Sequence, residues 1–164
     1  MKYLLAVVGL VVTALSAADD KRTTQQDLIG AWRLVSIDVQ GPGGREPDPF
    51  YGYGSRGLLI YDASGWFSVQ IEAAGRPPLK VPESRPTVTA SDSKVLHSYY
   101  AYFGTWSFDP ATSTVTHHAK GALYPSEDAA IYPQHVVVAG RRMTFSRTQS
   151  GKIQTKVWER VSGQ

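Results

Sequence analysis

The chain contains no cysteine and no asparagine. The first absence excludes a disulfide framework and a lipoprotein attachment thiol, so stability must come from the core. The second excludes N-linked glycosylation. Nor is there an excess of one charge: 17 basic and 14 acidic side chains leave a net charge of +3. The basic residues are scattered, and Arg141-Arg142 beside Gly140 reads as a solvated turn, so no nucleic-acid footprint is present. There is no Gly-X-Ser-X-Gly elbow, and Ser68 has no evident base partner. Gly41-Pro42-Gly43-Gly44 leads into a Pro-rich stretch rather than a helix, so no phosphate cradle forms and no nucleotide or other cofactor is expected.

What is present begins with Lys2, an apolar run over residues 3–15 and the small residues Ser16, Ala17 and Ala18. This pattern reads as a secretory signal over residues 1–18, with cleavage after Ser16 or Ala18. The run is shorter than the ~20 residues of a bilayer-spanning helix, and Asp19-Asp20-Lys21-Arg22 then turns polar. A retained anchor is the alternative. The expectation is an exported protein, periplasmic or secreted, with no stable membrane insertion once the signal is removed. Residues 19–164 are one domain's worth of chain, enough for a sizeable core.

Strand-like runs dominate the remainder. Residues 25–30 read as a lead-in with one possible helical turn, and residues 31–40 as a first strand rich in β-branched alternation. Residues 45–55, with Pro, Gly, Phe50, Tyr51 and Tyr53, read as a long irregular loop of the kind that lines openings. Residues 57–61 and 66–72 form a hairpin about Asp62-Ala63-Ser64-Gly65. Residues 73–89 hold Pro77, Pro78, Pro82 and Pro86 and cannot be a central strand. Ser91 starts a short helix to about residue 99. Strands follow at 102–108, 114–120, 132–138, 143–147 and 153–160, with Asp109-Pro110, Ala139-Gly140 and Ser150-Gly151 at their connections. The sum is an all-β, eight-stranded antiparallel up-and-down barrel with one short helix between strands three and four; a two-sheet sandwich is the alternative.

Several of these segments resemble the lipocalin-like domain family of bacterial and fungal proteins: Leu28-Ile29-Gly30-Ala31-Trp32-Arg33-Leu34-Val35-Ser36, Arg56-Gly57-Leu58-Leu59-Ile60-Tyr61, Gly65-Trp66-Phe67-Ser68-Val69-Gln70, Tyr102-Phe103-Gly104-Thr105-Trp106, Thr114-Val115-Thr116-His117-His118 and Val157-Trp158-Glu159-Arg160. The match spans roughly residues 27–161. In lipocalins a Gly-X-Trp triplet opens the first strand and an Arg near the barrel's end packs on that Trp. The resemblance implies these structural roles for Gly30, Trp32 and Arg160. Family members often carry a Phe-Pro-Asn-Trp-like segment after the fifth strand; this chain instead reads Leu123-Tyr124-Pro125-Ser126-Glu127-Asp128. The family embraces carriers and, among related small barrels, isomerases and cyclases, so fold analogy alone does not choose a function.

Alternation places Tyr100, Tyr102, Gly104, Trp106 and Phe108 on one face of the fourth strand, expected to point inward. On the fifth, His117 is expected inside and His118 in solvent, since adjacent residues face opposite ways. If the following hairpin is symmetric about Ser126, His117 faces His135, with Cβ atoms ~5 Å apart. A slip of one residue would separate them. Such a pair would shuttle a proton but would still need a third ligand, Glu72 or Asp128, to hold zinc, and no metal is expected. The favoured reading is therefore a barrel that binds a small apolar or aromatic molecule, with Tyr61, Tyr102, Trp106 and His117 as pocket contacts. The second is an isomerase, cyclase or dehydratase with His117 as acid or base and His135 or Tyr102 assisting.

Overall fold

The computed structural model describes residues 22–76, 95 and 97–162. The signal segment, the Pro-rich stretch beyond Arg76 and the helix start at Ser91 lie outside these residues. The described chain opens with one helical turn, α1 (Gln25–Leu28), held by a capping box: the Thr24 side chain accepts from the Asp27 backbone while the Asp27 carboxylate accepts from the Thr24 N–H.

Nine strands follow: β1 (Gly30–Gly41), β2 (Gly44–Pro47), β3 (Arg56–Tyr61), β4 (Trp66–Glu72), β5 (Tyr99–Asp109), β6 (Thr114–Ala122), β7 (Ile131–Ala139), β8 (Arg142–Gln149) and β9 (Lys152–Arg160). They form one antiparallel sheet in the order β2-β1-β3-β4-β5-β6-β7-β8-β9, and β1 also pairs with β9. That last ladder closes the eight-stranded up-and-down barrel.

Two expectations change. The stretch after residue 44 is not wholly irregular, because Gly41-Pro42-Gly43-Gly44 makes a hairpin turn, with Gly44 at φ +110°. It folds β2 back on the end of β1, pairing Asp38 with Pro47 and Gly41 with Gly44. The helix expected to reach residue 99 stops short of it. Tyr99 already pairs with Glu72 at the start of β5, so the tyrosine run extends a strand rather than a helix. The Ser150-Gly151 turn has positive φ at both residues, as a two-residue hairpin of this twist needs.

Inward-pointing residues alternate along every strand and meet in one core, which includes Leu28, Trp32, Leu34, Ile37, Leu59, Tyr61, Phe67, Val115, Val136, Met143 and Trp158. Two bulges adjust the alternation. Val35 is the extra residue where β1 shifts register against β9, and it is exposed. The second lies where β5 and β6 approach closely: a Cβ on Gly104 would sit 2.0 Å from the His118 carbonyl oxygen. Only glycine fits there.

The end of the barrel nearest α1 is sealed. Trp32, fully buried, donates its indole N–H to the Leu28 carbonyl at 2.8 Å. The Arg160 guanidinium lies 4.1 Å from the Trp32 ring centroid and donates to the Ile29 and Asp27 carbonyls at 2.7 and 2.5 Å. A Cβ on Gly30, itself at φ +130°, would stand 2.8 Å from that guanidinium. The Gly-X-Trp triplet and the distant Arg therefore meet at one point and tie the first strand to the last. Arg160→Ala removes two charge-assisted hydrogen bonds and a cation–π contact. It is expected to cost about 2–4 kcal/mol in urea denaturation, with Arg160→Lys intermediate because it keeps the charge without the fork.

Candidate functional site

Above the sealed floor the barrel encloses a cavity of about 500 Å³. Its walls differ. Leu59 of β3 and Val69 and Ile71 of β4 form an apolar side. Gln134 of β7, Arg147 of β8 and Lys152, Gln154 and Lys156 of β9 form a polar one. Tyr100, Tyr102 and Tyr132 stand between them, and Phe145 and Trp158 complete the interior. The mouth is framed by residues 48–51 of the β2–β3 loop, by Glu127 of the turn before β7 and by Ser150 of the β8–β9 turn. A stretch rich in Pro, Gly and aromatics thus lines an opening.

His117 lies at the base of the cavity, 2% exposed. Both ring nitrogens meet phenols: Nε2 is 2.5 Å from the Tyr61 hydroxyl, and Nδ1 is 2.7 Å from that of Tyr102. A neutral imidazole has one donor and one acceptor, so one phenol donates a hydrogen bond to the ring and the other accepts one from it. The Phe67 ring stacks on it at 4.1 Å between centroids. Burial first, then the charges of Lys156 and His118, push its pKa down to about 3. Burial also raises the Tyr61 and Tyr102 phenols. The cluster is neutral near pH 7.

The polar wall is organised around Asp48, which is buried although it belongs to a loop. One carboxylate oxygen accepts from the backbone N–H groups of Phe50 and Tyr51 at 2.9 and 3.2 Å. The other accepts from the Gln154 amide at 2.7 Å, and Gln154 in turn accepts from Arg147 Nε at 3.2 Å. Glu127 accepts from the Tyr100 hydroxyl at 2.7 Å. Lys156 is different. Its Nζ has one long contact, 3.5 Å to the Gln134 side-chain oxygen, and no carboxylate within ion-pair distance among the described residues. Burial, then the Arg147 charge, lower its pKa to about 7 against the opposing pull of Asp48. By area Lys156 is half-buried, but that area faces the cavity its side chain lines.

Of the pocket contacts expected from sequence, Tyr102 and His117 line the cavity. Tyr61 lies beyond His117 as its hydrogen-bond partner, outside the lining. Trp106 packs in the floor, with its ring 4.7 Å from that of Tyr61 and its indole N–H donating to the Asp62 carbonyl at 3.2 Å. The His117–His135 pair does not form. The β6–β7 connection is centred away from Ser126: His117 pairs with Tyr132, and His135 with Thr114. The offset of three residues is odd, so His135 turns outward and is exposed. His118 is half-buried on the outer face. Glu72 also faces outward, ion-paired with Arg56 and Arg76.

Sequence reasoning passed over Lys156, Arg147, Gln134, Gln154 and Asp48. The signal for three of them was parity: Lys156 and Gln154 share a face with Trp158, and Arg147 shares one with Met143 and Phe145. With Trp158 taken as core, the whole face turns inward.

A sequence model described as a lipocalin-like domain matches residues 29–161. No curated protein matches. Among solved structures, the chain is similar to a redesigned β-barrel at 14% identity, covering 84% of this chain and 94% of that one with a TM-score of 0.40. It is similar to fatty-acid-binding protein 1 of Echinococcus granulosus at 12%, covering 84% and 99%, TM-score 0.40. A third likeness is secretory abundant heat soluble protein 4 of Ramazzottius varieornatus at 12%, covering 87% and 100%, TM-score 0.42. Likeness at this level carries no argument about a ligand.

The buried imidazole makes a pH prediction. His117 binds no proton in the folded protein until about pH 3, whereas in the unfolded chain it takes one near pH 6.5. The stability it supports is complete above pH 6.5 and is lost as pH falls from there toward 3, on the order of 5 kcal/mol in full. Urea denaturation at stepped pH is expected to show this slope, and His117→Gln, which cannot titrate, to flatten it.

Proposed function

The chain belongs to the lipocalin-like domain family, and we propose that it is an exported barrel that holds a small, largely apolar or aromatic molecule in its interior. One observation carries this reading: the cavity of about 500 Å³ lies within a closed barrel and has one continuous apolar wall. That volume falls in the ~300–1,000 Å³ range of small-molecule sites, and burial of apolar ligand surface against Leu59, Val69 and Ile71 supplies the driving force. Export is supported by Lys2, the apolar run over residues 3–15 and the small residues that follow.

The second reading, proton-transfer isomerisation, cyclisation or dehydration, draws on the Tyr102–His117 pair at the cavity wall. Binding is better supported, because both His117 nitrogens are committed to phenols and the ring is held neutral. A base that must accept a substrate proton needs a free nitrogen at the cavity surface.

Native mass spectrometry of protein purified from its own host, followed by denaturing extraction, is expected to release a stoichiometric small molecule. Ile71→Trp fills the apolar wall, and occupancy is expected to drop at least about tenfold with thermal stability retained. Unchanged occupancy in that variant would place the molecule outside the barrel.

A further inference from the structure

We propose that the cavity is built for an organic acid: an amphiphile whose carboxylate lies against Lys156 and Arg147 while its apolar body lies along Leu59, Val69 and Ile71. This rests on the small-molecule reading above and adds the chemistry of the ligand's polar end.

The cavity holds unmatched donors. An ammonium carries three N–H donors and no acceptor. Lys156 uses them on a single 3.5 Å contact to Gln134. Burying a cation without a partner is costly unless something else in the site supplies the opposite charge. The carboxylates of the lining are already engaged. Asp48 accepts two backbone N–H groups and the Gln154 amide, and Glu127 accepts the Tyr100 phenol at the mouth. Lys156 therefore has no carboxylate of its own among the described lining residues, and His117 contributes no charge. A further donor is short of an acceptor: Trp158, also in the lining, has the one buried side-chain polar atom with no hydrogen-bond partner among the described residues, its indole nitrogen. Among the described residues the interior therefore holds an ammonium and an indole N–H that lack acceptors, and a carboxylate brings what they lack.

The placement of the excess matters as much as its sign. The cations stand on β8, opposite β4 in the closed ring, and on β9, which β1 separates from β3. A neutral apolar molecule would satisfy one wall and leave Lys156 desolvated against carbon. An acid satisfies both, and charge-assisted hydrogen bonds to Lys156 and Arg147 fix its direction.

The groups facing Lys156 from the elements around it are Arg147 on β8, His117 on β6, Gln134 on β7 and Asp48 of the β2–β3 loop. A bound carboxylate adds to the pull of Asp48 and draws a proton onto Lys156. Acid binding should therefore take up protons and weaken as pH rises above 7, whereas binding of an uncharged analogue should not.

The test is isothermal titration calorimetry of the full chain with decanoate and with decanol, matched in chain length. At pH 6 decanoate is expected to bind at least about tenfold more tightly, equivalent to about 1.4 kcal/mol. The advantage is expected to shrink by pH 9, and Lys156→Met is expected to abolish most of it. A cooperative urea-unfolding transition like that of the unsubstituted chain checks that the variant is folded. Arg147→Met is expected to reduce the preference in the same way. Decanol binding as well as decanoate, or a preference that survives in both variants, would overturn the acid inference and leave the small-molecule reading intact. Failure of both probes to bind would overturn the two together.

Discussion

The structure above the floor of this barrel depends on one guanidinium. Arg160 comes from the end of the last strand, yet its two hydrogen bonds go to carbonyls at Asp27 and Ile29, just ahead of the first strand, and its plane covers Trp32. The β1–β9 ladder would close the sheet in any case, but a ladder alone leaves an open end. The Arg160–Trp32 stack, with α1 and Leu28 beneath it, converts a tube into a cup. A cup can keep water out of its lower half, and that is where the chain places Leu28, Trp32, Val115, Val136 and Met143, all fully buried.

Sealing one end lets the other half be chemically unconventional. An ammonium with one long contact and an unsatisfied indole N–H each work against folding or add nothing to it. They are tolerable because they sit on a frame whose strands are paired along their length and whose lower core is apolar. The neutral His117 cluster also shapes the cavity floor: the Tyr102 hydroxyl is held on Nδ1 rather than left to find partners among ligand atoms. What remains polar and adjustable is the wall of β8 and β9.

Much of the frame was legible in the sequence, because a half-buried strand writes its pattern in alternation and its turns in Gly, Asp and Pro. The Asp62–Gly65 turn, the Ser150-Gly151 turn and the inward face of Tyr102 and Trp106 follow from local chemistry alone. Two kinds of information were not local. Register across the β6–β7 connection depends on how the eight-residue stretch 123–130, with Pro125 and a short 3-10 turn, is wound, and symmetry is the wrong guide to it, so His135 does not face His117. The other is the meaning of a charged residue on a strand. Lys156 and Arg147 look like solvated positions until Trp158 and Phe145 on the same faces are seen to be core, and Asp48 enters the barrel only because β2 folds the chain back over the mouth. The site was thus half visible: its aromatic and imidazole members could be read, its cations could not.

Among the described residues the terminal strand β2 has one neighbour, β1, and so presents the one open ladder edge of an otherwise closed sheet. Unpaired backbone groups of this kind recruit other chains into intermolecular sheets. Here the edge is four residues long, ends at Pro47, which has no N–H to offer, and bears Arg45 and Glu46, with Arg45 tied to Asp38 at 2.8 Å. A docking strand would find too few donors and a pair of charges to desolvate. The hairpin that frames the mouth is therefore also a guard against amyloid-like stacking, a useful property for a cysteine-free protein that has no covalent brace against partial opening.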